Sequence, residues 1–311
     1  MEVVGIGSCA VDYVAQVPRL LGPDEKINAD RLEIHPGGVT ANNLTQVARL
    51  GASAGWLGLL GDDDNGRFIQ DAFRADRMDL SGITIVPGAR SSMTWIPIDA
   101  TGERSIYMFP NVTGGITAAQ VSSQFAPYIR AARHFHTEAS QLPLAPIDAA
   151  MRIARDAGVR VLFDLDVAPS FFAQMGLGTE AALMESLEKI DVLKPCKAAA
   201  RELTGETDFE AMARRLLTFG PALVALTMGG EGSILATDHE LVEIPAFRVD
   251  VVDTTGAGDA YMGGLSYGLL QRWDLRQIGR FANACAALCC TKLGARACPT
   301  RDAVQAFLNR A

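Results

Sequence analysis

The stretch VVDTTGAGDAYMGGLSYGLL, residues 251–270, decides how this chain is read. Gly256-Ala257-Gly258 leads straight into Asp259, and beyond it Tyr261, Leu265 and Leu269 recur at intervals of four. That period marks one face of a helix. Small residues at a helix entrance leave successive backbone N–H groups open, and with the helix dipole they favour an anion. An acid in that place also serves as an N-terminal cap, but one acid suffices for a cap. The run from Asp253 to Asp259 is richer, with an anion pocket and a carboxylate touching it. The pairing suits phosphoryl transfer, in which amides hold developing charge while Asp259 takes a proton from an attacking hydroxyl.

Around this stretch lies a chain of 311 residues with a formal charge of -8. That length buries a sizeable core and matches one large α/β unit. An acidic surface argues against a general nucleic-acid or anionic-membrane binder. The apolar runs fall short of the ~20 residues of a membrane span. The start, MEVVGIGSCAVDYV, lacks a basic n-region, so a cytoplasmic protein is expected. Cysteines 9, 196, 285, 289, 290 and 298 make no C-x-x-C pair and are read as small hydrophobes.

Strand and helix patterns alternate. EVVGIG reads as a first strand, TANNLTQVARLG as a helix, ASAGWLGLLG as a second core strand and DNGRFIQDAFRADRM as a helix. PIDAAMRIARDAG with VRVLFDLD, LMESLEKI with DVLKPC, and FEAMARRLLTFG with PALVALTMGG repeat the helix–strand unit. The pattern implies right-handed βαβ units and a mainly parallel sheet. FRVDVV reads as a strand before Asp253, and helices are expected over 259–272, 275–293 and 300–310. CAVDYVAQVPRL, INADRLEIHPGG and the hairpin SSMTWIPIDATGERSIYMFP interrupt the rhythm with strands. They predict a small β lid, inserted from about 12–36 and 91–110 into a single 1–311 domain.

Other motifs carry less. GIGSCA matches a dinucleotide fingerprint, but a helix must follow it and VDYVAQVPRL looks extended. GDDDNGRF imitates a phosphate loop and lacks its lysine and hydroxyl, so it reads as a strand-to-helix turn. His134 and His136 share a strand face, and two histidines alone make a poor metal site. Asp164 and Asp166 sit where a parallel strand ends, which is where ligands bind. The glycines of TMGGEGS permit a tight turn and close ligand approach.

DTTGAGDAYMGG resembles the C-terminal signature of the ribokinase-like, or PfkB, carbohydrate kinases. PGGVTANNLTQVARLGASAGWLGLLGDDDNGR resembles their N-terminal signature, and GSCAVDYV their first strand with a substrate-binding acid. The resemblance runs the length of the chain in the right order. It implies a ribokinase-like α/β fold, a mainly parallel sheet flanked by helices with a small β-sheet lid, and ATP-dependent phosphorylation of a sugar or related alcohol. It places Asp259 as the base and Gly256, Ala257 and Gly258 as the anion hole. Asp12, Gly38, Asn42 and Glu138 match acceptor contacts. Thr227, Gly229, Gly232 and Asn283 match the nucleotide pocket. Asp253 and Thr255 match a monovalent-cation site, so ATP, Mg²⁺ and K⁺ are the implied cofactors. A homodimer through the lid is implied as well.

One departure stands out. Many relatives carry Asn-x-x-Glu before Leu-Thr-Gly, where it helps organise Mg²⁺ and phosphates. In LKPCKAAARELTG, Cys196 and Ala199 stand at those positions, leaving Asp164, Asp166 or Glu202 to compensate. A kinase fold that binds ligands without turnover is therefore a second reading, and a nicotinamide-dependent dehydrogenase is a third. Lys26, Arg31, Arg90 and Arg104 lie in the lid, and several of them pointing inward would favour an acidic or phosphorylated acceptor.

Overall fold

A computed structural model describes residues 1–310. The chain opens with β1 (Val3–Gly5), then runs outward through β2 (Ala10–Gln16) and β3 (Arg31–Gly37). The helix Val39–Arg49 returns it to β4 (Ala54–Trp56). β5 (Gly58–Gly61) pairs with β6 (Ile83–Val86), and β7 (Met93–Ile98) with β8 (Tyr107–Phe109). Next come β9 (His134–Glu138), β10 (Arg160–Leu165), β11 (Val192–Pro195) and β12 (Leu223–Thr227), each reached through helix. β13 (Gly232–Ala236) and β14 (Leu241–Pro245) follow, and helices Ala257–Leu270, Leu275–Cys289 and Arg301–Leu308 close the chain.

The main sheet has the order β14-β13-β12-β11-β10-β9-β1-β4. Its members from β4 to β12 are parallel, and β13 and β14 are antiparallel additions. Helices cover both faces, so β10 and β12 are apolar along nearly their whole length. This is the mainly parallel, helix-flanked α/β sheet that the resemblance implies.

The interrupting strands form a separate sheet, β3-β2-β7-β8. Strand side chains alternate between faces. Asp12, Val14, Gln16, Glu33, His35, Ile96 and Ile98 line a cavity towards the body. Leu32, Ile34, Trp95 and Tyr107 stay exposed on the other side.

Several local readings change. ASAGWLGLLG is two strands in two sheets, β4 and β5, rather than one. FRVDVV is not a strand: no partner strand borders it, and Val251 and Val252 are 62% and 60% exposed. The strands of this region come earlier, as β13 and β14. Helix Ala257–Leu270 starts and ends two residues earlier than its pattern suggests, and the last two helices are shorter than theirs. GIGSCA is followed by strand β2, which removes the dinucleotide reading. In GDDDNGRF, Asp63 caps the helix Asp64–Ala75 by accepting from Gly66 N at 2.9 Å. His134 and His136 both meet Ser266 Oγ, at 3.0 and 2.8 Å, and burial drives both imidazoles down to about 3, so they are neutral packing groups.

Helix Ala257–Leu270 is buried on almost every side, between Val39–Arg49 and Leu275–Cys289. Glycine makes that approach possible. A methyl on Gly263 would lie 2.5 Å from Gln46 Cβ and 2.8 Å from Asn43 O. Gly263→Ala therefore overpacks the contact and is expected to cost about 1–3 kcal/mol. The urea midpoint reads this loss, and an unchanged midpoint refutes it.

Candidate active site

Helix Ala257–Leu270 starts without a side-chain cap. Gly256 at the N-cap has φ 78, and a methyl there would sit 1.9 Å from Ala295 O. Only glycine fits that wedge. Ala257 N donates to Thr254 O, and the next amides of the first turn have no partner inside the helix. Asp259 is not the cap. Its Oδ2 accepts from Asn42 Nδ2 at 2.8 Å, and the residue is 8% exposed. Burial pushes its carboxyl up to about 7; Lys194 pulls it down, Asp164 and Asp166 push it further up, and the Asn42 bond lowers it.

Lys194, at the end of β11, lies beside the same helix entrance. Its Nζ would be 3.0 Å from a methyl on Gly258, and it contacts Asp164 Oδ1 and Oδ2 at 2.8 and 2.9 Å. Both residues are buried. Burial opposes the ammonium charge, but Asp164, Asp166 and Asp259 together hold the Lys194 pKa above its ordinary value.

Two cavities flank the chain on either side of Thr254 at this helix entrance, and Asp259 and Asn42 line neither of them. One, of about 430 Å³, lies under the smaller sheet, with Asp12, Glu33, His35, Arg104, Asp253, Thr255 and Ala295 in its wall. The other, of about 330 Å³, is lined by Thr227, Gly229, Gly232, Asn283, Ala257, Gly258 and mostly apolar neighbours. Thr254, two residues before the glycine wedge, lines both.

The residues singled out from sequence fall unevenly on this plan. Asp12 lies in the first cavity, takes the Thr94 hydroxyl, and rests on Gly37, where a methyl would be 2.0 Å from its Oδ2. Gly38 has φ 94 and packs on Ser8 and Cys9, so backbone approach rather than open space requires it. Asn42 is bonded to Asp259. Glu138 is not in the cavity wall. Its Oε1 accepts from Ser8 N at 2.7 Å, its Oε2 has no partner, and burial lifts its carboxyl to about 7. Thr227, Gly229, Gly232 and Asn283 line the second cavity together. Asn283 also ties β13 to β14, accepting from Ser233 and donating to Ile244 O and Pro245 O. Asp253 accepts from Thr255 N at 2.8 Å and Gly294 N at 2.9 Å. Burial opposes its charge, but these bonds hold its carboxyl below the usual range.

Cys196 occupies the N-cap of helix Lys197–Thr204, where its Sγ accepts weakly from Ala199 N at 3.4 Å. Glu202 does not compensate for the lost motif: it is engaged by Ser170 N and Oγ at 2.7 Å each. Asp164 is held by Lys194. Of the four lid cations named from sequence, only Arg104 lines the cavity, and Arg31 pairs with Glu33. Sequence reading missed Lys194 and Arg296. The one available signal for Lys194 was a lone charge inside the apolar run DVLKP. Nothing in ARACP marks Arg296, which donates from Nε to Asn42 Oδ1.

The pfkB family carbohydrate kinase profile matches residues 1–302. An aminoimidazole riboside kinase from Salmonella typhimurium is 32% identical over 88% of each chain. A bifunctional ribokinase/ribose-5-phosphate isomerase A from Fructilactobacillus sanfranciscensis is 29% identical over 99% of this chain, which spans 56% of that protein's length. Among solved structures, a putative ribokinase II from E. coli, in complex with ATP and Mg²⁺, superposes with a TM-score of 0.87, 23% identity and coverage of 100% and 99%. No helix among the described residues is long and apolar enough to cross a membrane. The chain belongs to the pfkB family of carbohydrate kinases and is an ATP-dependent kinase.

Proposed function

We propose that the chain transfers the γ-phosphoryl of ATP to a hydroxyl of a small, unphosphorylated sugar or sugar-like polyol. The carrying observation is Asp259: a buried carboxylate, held by Asn42, at an uncapped helix entrance between two cavities. The acceptor would lie under the smaller sheet, which acts as a lid. Asp12, Glu33 and Asp253 put three carboxylates in that wall against Arg104 and a His35 bonded to Glu33 at 2.8 Å. Carboxylates accept from sugar hydroxyls and repel a phosphorylated ligand. The nucleotide would fill the apolar cavity of Thr227, Gly229, Gly232 and Asn283.

Asp259 would take the hydroxyl proton as the oxygen attacks, while the amides of Gly256, Ala257 and Gly258 face the transferred group. Mg²⁺ bound with the nucleotide would supply charge neutralisation at the phosphates. Lys194 adds a fixed positive charge beside Gly258, where Cys196 and Ala199 offer none. Ionised Asp253 with Thr255 would hold a monovalent cation. The exposed apolar row Leu32, Ile34, Trp95 and Tyr107 on the lid would join two copies in a homodimer.

Screening ADP release against neutral sugars, sugar acids, sugar phosphates and polyols tests the acceptor class; a best acceptor that is phosphorylated refutes it. Asp259→Asn is expected to lower turnover roughly 10²–10⁴-fold with acceptor binding kept by calorimetry. In the unaltered enzyme, turnover should fall as pH drops through about 7, because the raised pKa protonates the base there. Near-normal turnover of Asp259→Asn defeats the assignment. Lys194→Met leaves Asp164 buried and unpaired, with an expected loss of about 3–5 kcal/mol in thermal unfolding; an unchanged melting curve contradicts it. Ile34→Glu should turn a dimer into a monomer in sedimentation, and a monomeric parent protein rules the lid interface out.

A further inference from the structure

We infer that Arg296 is a positioning residue for phosphoryl transfer: its guanidinium fixes the Asn42 amide so that it donates to Asp259 and cannot turn its oxygen towards that carboxylate. The inference rests on Asp259 acting as the base.

The geometry is a two-step relay. Arg296 Nε donates to Asn42 Oδ1 at 3.0 Å, and Asn42 Nδ2 donates to Asp259 Oδ2 at 2.8 Å. A side-chain amide has one accepting and one donating end, whereas a guanidinium only donates. With a cation at one end and a carboxylate at the other, a single amide orientation satisfies both. The reversed amide would set its NH₂ against Arg296 and its oxygen against Asp259. Arg296 Nη2 also donates to Gly37 O at 2.8 Å, which locks the guanidinium plane to the end of β3. The face of that plane lies over the Phe73 ring, 5.3 Å from its centroid.

Arg296 is 6% exposed and forms no ion pair among the described residues. Its Nη1 has no partner. Burying a guanidinium without a bonded carboxylate is costly, and packing alone would be served by an apolar residue. What only the guanidinium adds is a rigid fork of donors that cannot accept. Arg296 has no bond to Asp259 and lines neither cavity, so its link to that carboxylate runs through the Asn42 amide.

The charged groups around Asp259 come from other elements. Lys194 on β11 favours its ionised form, and Asp164 on β10 with Asp166 beyond it disfavours that form. The nearby thiols of Cys289 and Cys298 are held neutral by burial. Asp12, Asp76, Cys9 and Cys298 face Arg296 itself. The relay therefore adds a neutral donor to Asp259 on top of a charge balance set elsewhere.

The test is the pH dependence of kcat from about pH 5.5 to 9, with ATP and the neutral sugar that releases most ADP. Arg296→Met frees the amide to rotate, and the acid limb should move up by about 0.5–1 pH unit, the size of one lost hydrogen bond to a carboxylate. Arg296→Lys keeps the buried charge but loses the fork, so its limb should move the same way by less. In an Asn42→Ala background the limb is already displaced, and Arg296→Met should add nothing further. A limb at the parental pH in either folded variant overturns the proposal, and Arg296→Lys decides alone where Arg296→Met does not fold. An equal shift of the limb in the Asn42→Ala background also overturns it, since the effect would then be direct charge. A purely structural Arg296 lowers the melting temperature and leaves the limb in place. Asp259→Asn, assayed beside them, separates the two levels: if it retains turnover the base assignment fails, and if it is inactive while the limbs stay put only the positioning role fails.

Discussion

A carboxylate kept out of water at an uncapped helix mouth is the constraint around which this molecule is arranged. The open amides of the first turn attract negative charge. Burial disfavours that charge on Asp259. The balance is struck by groups from distant parts of the chain: the Asn42 amide from one helix and the Lys194 ammonium from a strand end. Two glycines make the meeting possible. Gly256 admits the Ala295 carbonyl, and Gly258 admits the Lys194 side chain. A methyl on Gly256 would collide with the Ala295 backbone and push these segments apart, while one on Gly258 would displace the Lys194 ammonium.

The two sheets divide the work by a simple rule of alternation. The main sheet brings the ends of parallel strands to one edge, where Asp164, Lys194 and Thr227 emerge. The smaller sheet turns every second residue towards that edge and leaves the rest outside. Its inner face mixes Asp12, Glu33 and His35 with Val14, Ile96 and Ile98, and its outer face exposes Leu32, Ile34, Trp95 and Tyr107. One strand pattern thus serves both a cavity wall and an exposed apolar face.

The departure at Cys196 and Ala199 takes on a different meaning once Lys194 is placed. The local helix still starts there, with a thiol in the capping role. The charge that a glutamate would bring is absent, and Glu202 is committed to Ser170. A buried ion pair, Lys194 with Asp164, stands beside the uncapped helix mouth instead. Breaking such a pair is more damaging than never having it, so this corner of the site is tied to the stability of the fold.

From the amino-acid sequence alone came the alternation of helix and strand, the separate small sheet and the helix behind Gly256-Ala257-Gly258 with Asp259 in its first turn. These are legible because periodicity and turn chemistry are local properties of the chain. Local pattern misled at FRVDVV, where β-branched residues found no neighbouring strand, and it missed β13 and β14. Tertiary structure alone decided which polar groups meet. Asn42 and Asp259 are 217 residues apart, and Arg296 and Asn42 254 apart. It also set Glu138, Gly38, Asn42 and Asp259 behind the cavity walls and put Lys194 at the helix mouth. Side-chain hydrogen bonds depend on the packing of whole elements to within a fraction of an ångström, and spacing along a chain carries no trace of that.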